Sequence, residues 1–133
     1  MRFIKFGVSL FLLSILSSCD PGSLIKYEIV NNMKEPIIAK YQFVFYKSGD
    51  SSTQEMIIPA NSSVIIHEDR PMGYLTENDE RDDSILIYWL RLEQGNKLTS
   101  QNFKDKKYWK LEKEDEQNGT YKLIVDTALF NEE

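Results

Sequence analysis

From Pro36 to Lys47 the chain alternates: Ile37, Ala39, Tyr41, Phe43 and Phe45 fall on one face, with Lys40 and Gln42 on the other. Period two is the side-chain period of a β-strand, and a helix would scatter these residues around its circumference. The run therefore demands a sheet with one buried face. Ile25, Tyr27 and Ile29 alternate in the same way with Lys26 and Glu28, and Asn31-Asn32 then marks a turn. "TQEMIIP" (53–59) and "SVIIHE" (63–68) read as two shorter strands, after the turn residues "SGDS" at 48–51. "SILIYWLRLE" (84–93) is apolar on both faces, with Leu86, Tyr88, Leu90 and Leu92 against Ile85, Ile87 and Trp89, as in a strand that is central or covered on both sides. "QGN" at 94–96 is a hairpin signal, Asn118-Gly119 is a stronger one, and "TYKLIVD" (120–126) alternates with Tyr121, Leu123 and Val125 inward.

The segment 104–116 admits two readings. Lys110 and Glu114 stand four apart, which supports a helix. Trp109 and Leu111 stand two apart ahead of Asn-Gly, which supports a strand entering a hairpin, and this second pattern is the stronger. The expected fold is all-β: an antiparallel β-sandwich of about seven strands, immunoglobulin-like in architecture, over residues 24–133.

The beginning of the chain is of another kind. Arg2 and Lys5 precede an apolar run of 11 residues, Phe6 to Leu16. A helical span needs about 20 apolar residues, so this run reads as the core of a secretory signal occupying residues 1–18. It ends at Cys19, the chain's one cysteine, which excludes an intramolecular disulfide. Residues 19–23 form a short tether. Removing the signal takes away two positive charges, so the formal net charge goes from −5 to −7. Such acidity argues against nucleic acid, which selects basic surfaces, and against a polybasic membrane grip.

Little in the sequence suggests catalysis. His67 is the one histidine; it closes a strand and has no nucleophile elbow beside it. A structural zinc site needs several His or Cys ligands, and a phosphate loop needs clustered glycines, so no cofactor is expected and the chain reads as a non-enzyme. The loop 68–83, "EDRPMGYLTENDERDD", holds seven acidic residues and two arginines. Carboxylates on a long loop can take Ca²⁺, with Asp79, Glu80, Asp82 and Asp83 as candidate ligands, although the EF-hand spacing is missing. The opposite charge gathers at 97–113, six lysines against Asp105 and Glu112. Lys104, Lys106, Lys107 and Lys110 surround Tyr108 and Trp109, a combination that binds anionic glycans or nucleic acid, or that merely guards an edge strand while Trp109 packs inward.

Leu16-Ser17-Ser18-Cys19 resembles the lipobox of bacterial lipoproteins. The resemblance implies cleavage before Cys19 and acylation of its thiol and new amino group. Three acyl chains anchor durably where one is marginal. An aspartate directly after the cysteine, Asp20 here, accompanies inner-membrane retention in enteric bacteria and surface export in other Gram-negative groups. The lipobox, "IVNN", "PANSSVII", the acidic loop, "FKDKKYW" and "GTYKLIVD" follow in an order similar to that of small β-rich lipoproteins of gut Gram-negative bacteria. That likeness implies a cell-envelope location, with the outer membrane (periplasmic or surface face) first. Asp83-Ser84-Ile85 and Asp126-Thr127-Ala128 resemble the O-glycosylation acceptor pattern of some of these bacteria, making Ser84 and Thr127 candidate acceptors. Two functions are expected in turn. One is a lipid-anchored binding or structural module that meets an envelope protein or a glycan. The other is an inhibitor or immunity lipoprotein whose acidity steers it to a basic toxin or lytic enzyme.

Overall fold

A computed structural model describes residues 22–43, 53–70 and 87–131. The expected signal at 1–18, Cys19, Phe45, the expected turn at 48–51 and the candidate residues Asp79, Glu80, Asp82, Asp83 and Ser84 lie outside the described residues.

Eight strands are described: β1 (Leu24–Asn31), β2 (Ile37–Phe43), β3 (Gln54–Ile58), β4 (Ser62–Asp69), β5 (Ile87–Gln94), β6 (Lys97–Leu98), β7 (Trp109–Lys113) and β8 (Asn118–Val125). They form two four-stranded sheets, ordered β4-β1-β8-β7 and β3-β2-β5-β6. No α-helix occurs among the described residues. The all-β expectation holds, and 109–113 is strand rather than helix. A single 3-10 turn, Lys106–Tyr108, leads into it, and a second, Thr127–Phe130, follows β8.

The pairing departs from a wholly antiparallel arrangement in one place. β1 and β8 run parallel, from Leu24 opposite Asn118 to Asn31 opposite Val125. A parallel pair needs a long crossover, and here nearly the whole chain supplies it. Local alternation announces a strand but says nothing about its partner's direction, so this pairing was not legible in the sequence.

Both sheets turn apolar residues into one core. Ile29, Trp109, Leu123 and Val125 come from the first sheet, and Ile37, Ala39, Tyr41, Phe43, Ile58, Ile87, Leu90 and Leu92 from the second. The Tyr27 and Phe43 rings meet between the sheets with centroids 5.7 Å apart. Each fully buried Ile or Leu stabilises the fold by about 1.5–3 kcal/mol. Residues 99–108 connect β6, at the edge of one sheet, to β7, at the edge of the other, and drive Phe103 into the core between them. The Trp109 indole N–H donates to the Phe103 carbonyl at 2.8 Å, which fixes that plug while leaving no buried indole donor unpaired.

Two bulges change the phase of the alternation. On β4 the register slips between Tyr27 and Glu28, leaving Ile66 as the extra residue. On β5 it slips between Gln42 and Phe43, leaving Tyr88 as the extra residue. Ile87 and Leu90 are therefore both buried although three apart, and Tyr88 is exposed. The reading that put Tyr88 on one face with Leu90 and Leu92 is corrected: an inserted residue reverses the phase on one side of a bulge. Nor is β5 covered on its outer face, where Arg91 is exposed.

The last hairpin also differs from expectation. Asn118 and Gly119 lie within β8, with Gly119 opposite both Ile25 and Lys113. The chain turns instead at residues 114–117. There the Asp115 carboxylate accepts from the backbone N–H groups of Gln117 and Asn118, each at 2.7 Å, and from the Asn118 side-chain amide at 2.8 Å. These bonds hold the Asp115 carboxyl below its usual range, with the Asn118 amide the largest cause. An aspartate that satisfies its own turn outcompetes the Asn-Gly signal three residues on. The "QGN" turn does form, with Gly95 at a left-handed φ of 55° between the paired Gln94 and Lys97.

Candidate functional site

The sheets have two dissimilar ends. At one, β1 finishes with Asn31, which is fully buried. Its amide nitrogen donates to the carbonyls of Glu35 (2.9 Å), Pro59 (3.0 Å) and Ile58 (3.2 Å), and its carbonyl accepts from Met33 N–H at 3.0 Å. One amide thus ties the end of β1 to the end of β3 in the other sheet. An amide suits three facing carbonyls, since a carboxylate would set lone pairs against lone pairs.

At the other end β1 begins, β2 and β4 finish, and β3 and β5 start. The two bulges lie at this end. His67, turned by the first, stacks on Phe43 from the opposite sheet with ring centroids 4.0 Å apart and planes 23° apart. Tyr27 stands 5.8 Å from His67 and stacks on Tyr121 at 5.6 Å. Burial lowers the His67 pKa below its ordinary 6.5, and the negative charges of Asp69 and Glu68 pull the other way. Burial likewise raises the Tyr27 and Tyr41 hydroxyls. The sequence allowed His67 to be a half-exposed strand residue. It is partly buried as expected, but it is a stacking member of the core rather than a side chain in a cleft.

The candidate metal ligands Asp79, Glu80, Asp82 and Asp83 and the candidate lipidation residue Cys19 lie outside the described residues. Among the described residues no three His, Cys, Asp or Glu side chains come together as a cation would require. Glu68 and Asp69, the carboxylates next to His67, belong to the strand: Glu68 stands opposite Lys26, and Asp69 accepts from the Arg70 backbone N–H at 2.9 Å. Of the two O-glycosylation candidates, Ser84 is outside the described residues. Thr127 is exposed at the start of its 3-10 turn, where the Asp126 carboxylate accepts from Ala128 N–H at 2.9 Å.

The basic segment separates into two parts. Trp109 is core, and Lys110 and Lys113 stand on β7, an edge strand of its sheet. Charged side chains on an edge discourage pairing with another chain. The outer face of this sheet carries an ionic ladder in which Lys122 meets Glu112 at 2.7 Å and Glu28 at 3.8 Å. The other part lies on the closing segment. The Lys107 ammonium sits 4.9 Å from the Tyr108 ring, and the Lys104 ammonium 6.0 Å from the Tyr88 ring. Sequence reasoning missed Tyr88 as a surface aromatic because simple alternation places it inside. The available signal was the double-faced apolar run around Ile87, which a bulge explains as well as burial on both sides does.

Comparison of the chain with family models, with curated proteins and with solved structures finds no match.

Proposed function

We propose that the protein is a lipoprotein of the cell envelope, anchored through acyl chains on Cys19, and that its β domain is a non-enzymatic binding or structural module. The observation that carries this reading is Leu16-Ser17-Ser18-Cys19 at the end of an 11-residue apolar run behind Arg2 and Lys5. The two sheets facing one core are read as a β-sandwich, immunoglobulin-like in architecture. The Tyr27–Phe43 contact between the sheets supports the first part of that description.

The tether adds a geometric consequence. Four residues separate Cys19 from Leu24, the first residue of β1. At about 3.5 Å per extended residue, they keep the start of β1 within roughly 20 Å of the headgroups. The His67 end then faces the membrane, and the Asn31 end, with the turns at 32–36, 59–61 and 95–96, faces away. Those turns and the sheet flanks are the surfaces open to a partner.

Metabolic labelling with palmitate tests the anchor. Wild-type protein is expected to incorporate label and sediment with membranes, and Cys19→Ala to do neither. A labelled, membrane-bound Cys19→Ala chain would sink the reading. The formal charge of −7 after signal removal favours a second reading, an inhibitor of a basic secreted enzyme or toxin. Capture of such a basic protein by the acylated chain, with binding that collapses as salt rises, would replace the structural module with the inhibitor.

A further inference from the structure

We infer that the flank formed by Tyr88, Lys104, Lys107 and Tyr108 binds an anionic carbohydrate, a polymer of uronic or sulfated sugars. The inference deepens the binding-module reading and rests on it. Tyr88 is the extra residue of the β5 bulge and is 59% exposed. Bulges re-aim side chains, and this one carries an aromatic ring out of a strand that buries Ile87, Leu90 and Leu92.

The cations beside the ring stand on a fixed backbone rather than a loose loop. Asn102 Oδ1 accepts from Lys104 N–H at 3.2 Å, and Asp105 Oδ1 accepts from Lys107 N–H at 3.0 Å. Phe103, 1% exposed, anchors the segment from below, and its ring meets Tyr108 edge-on at 5.3 Å. Lys104, Lys107 and the partly buried Tyr108 thus stand on one plugged turn, with Tyr88 on the β5 bulge 6.0 Å from the Lys104 ammonium, so little conformational freedom is lost when a ligand arrives.

The chemistry of the patch selects the ligand. An exposed ring face suits the C–H face of a pyranose, because the ring is negative at its face and those hydrogens are weakly positive. Lys104, 6.0 Å from the Tyr88 centroid, is at the outer limit of a cation–π contact and stays available to a carboxylate or sulfate. Lys107 already shares its charge with Asp105 at 3.6 Å, but both side chains are about half exposed, so an incoming anion competes easily. Duplex nucleic acid is the less suitable polyanion. It carries about one charge per 1.7 Å, and a chain of formal net charge −7 after signal removal repels that density more than the sparser charge of a glycan.

The test uses the full acylated chain in detergent, titrated by calorimetry with heparin and with polygalacturonate at low and at physiological salt. Dextran, poly-L-glutamate and single-stranded DNA serve as comparison ligands. Wild-type protein is expected to bind at least one of the two anionic glycans and not dextran. Tyr88→Ala is expected to weaken that binding about tenfold and Tyr88→Phe to restore it, because the ring face is what matters. Lys104→Gln is expected to lower the slope of log affinity against log salt by about one. Tyr88 is exposed, so a melting curve like the wild type's confirms that Tyr88→Ala is folded. Failure to bind either glycan overturns the inference. So does equal binding by Tyr88→Ala, or binding of poly-L-glutamate or DNA as tight as that of the glycan, since each would mean a mere basic surface. None of these results depends on palmitate labelling. A chain that is labelled yet binds no glycan leaves the envelope reading intact, and one that binds glycan unlabelled does the reverse.

Discussion

The two ends of the sheets solve the same problem with opposite chemistry. At the Asn31 end, one buried amide joins the sheets through directional hydrogen bonds to three carbonyls. At the His67 end, rings from both sheets stack, and two bulges let them reach each other. A hydrogen-bonded staple tolerates almost no substitution, because its unpaired groups stay buried and dry. A ring stack is less directional and tolerates a change of ring, but its histidine makes it sensitive to protons. The end with regular strands is thus the chemically strict one, and the end with broken register is the adaptable one.

The sharpest way to break the adaptable end is to empty it. Phe43→Ala removes a buried ring that touches Tyr27, Tyr41 and His67, and is expected to destabilise by about 3–5 kcal/mol in urea unfolding. Phe43→Leu should recover more than half of that loss. A deficit near zero for the alanine variant would mean that the stack contributes nothing.

The strict end is expected to answer next. Asn31→Ala should cost about 2–3 kcal/mol, since it orphans buried carbonyls and the Met33 N–H. Asn31→Asp should cost more than Asn31→Ala, because it also places a charge against carbonyl oxygens. If Asp is tolerated better than Ala, the hydrogen-bond pattern described for Asn31 is wrong.

The third and smallest effect separates the ends by pH. The unfolded chain takes a proton on His67 near 6.5, whereas the folded chain, in which burial lowers the pKa, takes it only at lower pH. His67 therefore contributes stability that is present above 6.5 and is lost progressively as pH falls below it. His67→Phe keeps a ring on Phe43 and removes the titration. The urea midpoint of the wild type should fall more between neutral and mildly acidic pH than that of His67→Phe. Parallel pH profiles would show that the stack does not sense protons. Asn31→Ala should leave the pH profile unchanged in shape, since no titrating group touches that amide.

Much of the fold was legible in the residues. Period-two runs located β1, β2 and β8, because a half-buried strand must alternate and the alternation is written locally, and short apolar stretches located β3, β4 and β5. Trp109 and Leu111, two apart, located β7 against the helical pull of Lys110 and Glu114. The two-residue β6 was missed, since Lys97-Leu98 is too short to show any period. The Asn118-Gly119 turn was misplaced because the Asp115 carboxylate satisfies the turn's N–H groups first. Of the candidate site, the lysines of 104–110 were legible as a charge cluster, but Tyr88 was grouped on one face with the buried Leu90 and Leu92.

By itself the sequence determined a β protein, the faces of most strands and an acidic balance with one basic segment. Each of these depends on neighbours along the chain, within a few residues. Only the tertiary structure decided that β1 lies parallel to β8, that Asn31 joins the sheets, that His67 stacks on Phe43 and that Tyr88 faces water. These depend on which strands pair and in what register. A single inserted residue reverses every side chain beyond it, and the partner that makes the insertion visible is distant in sequence.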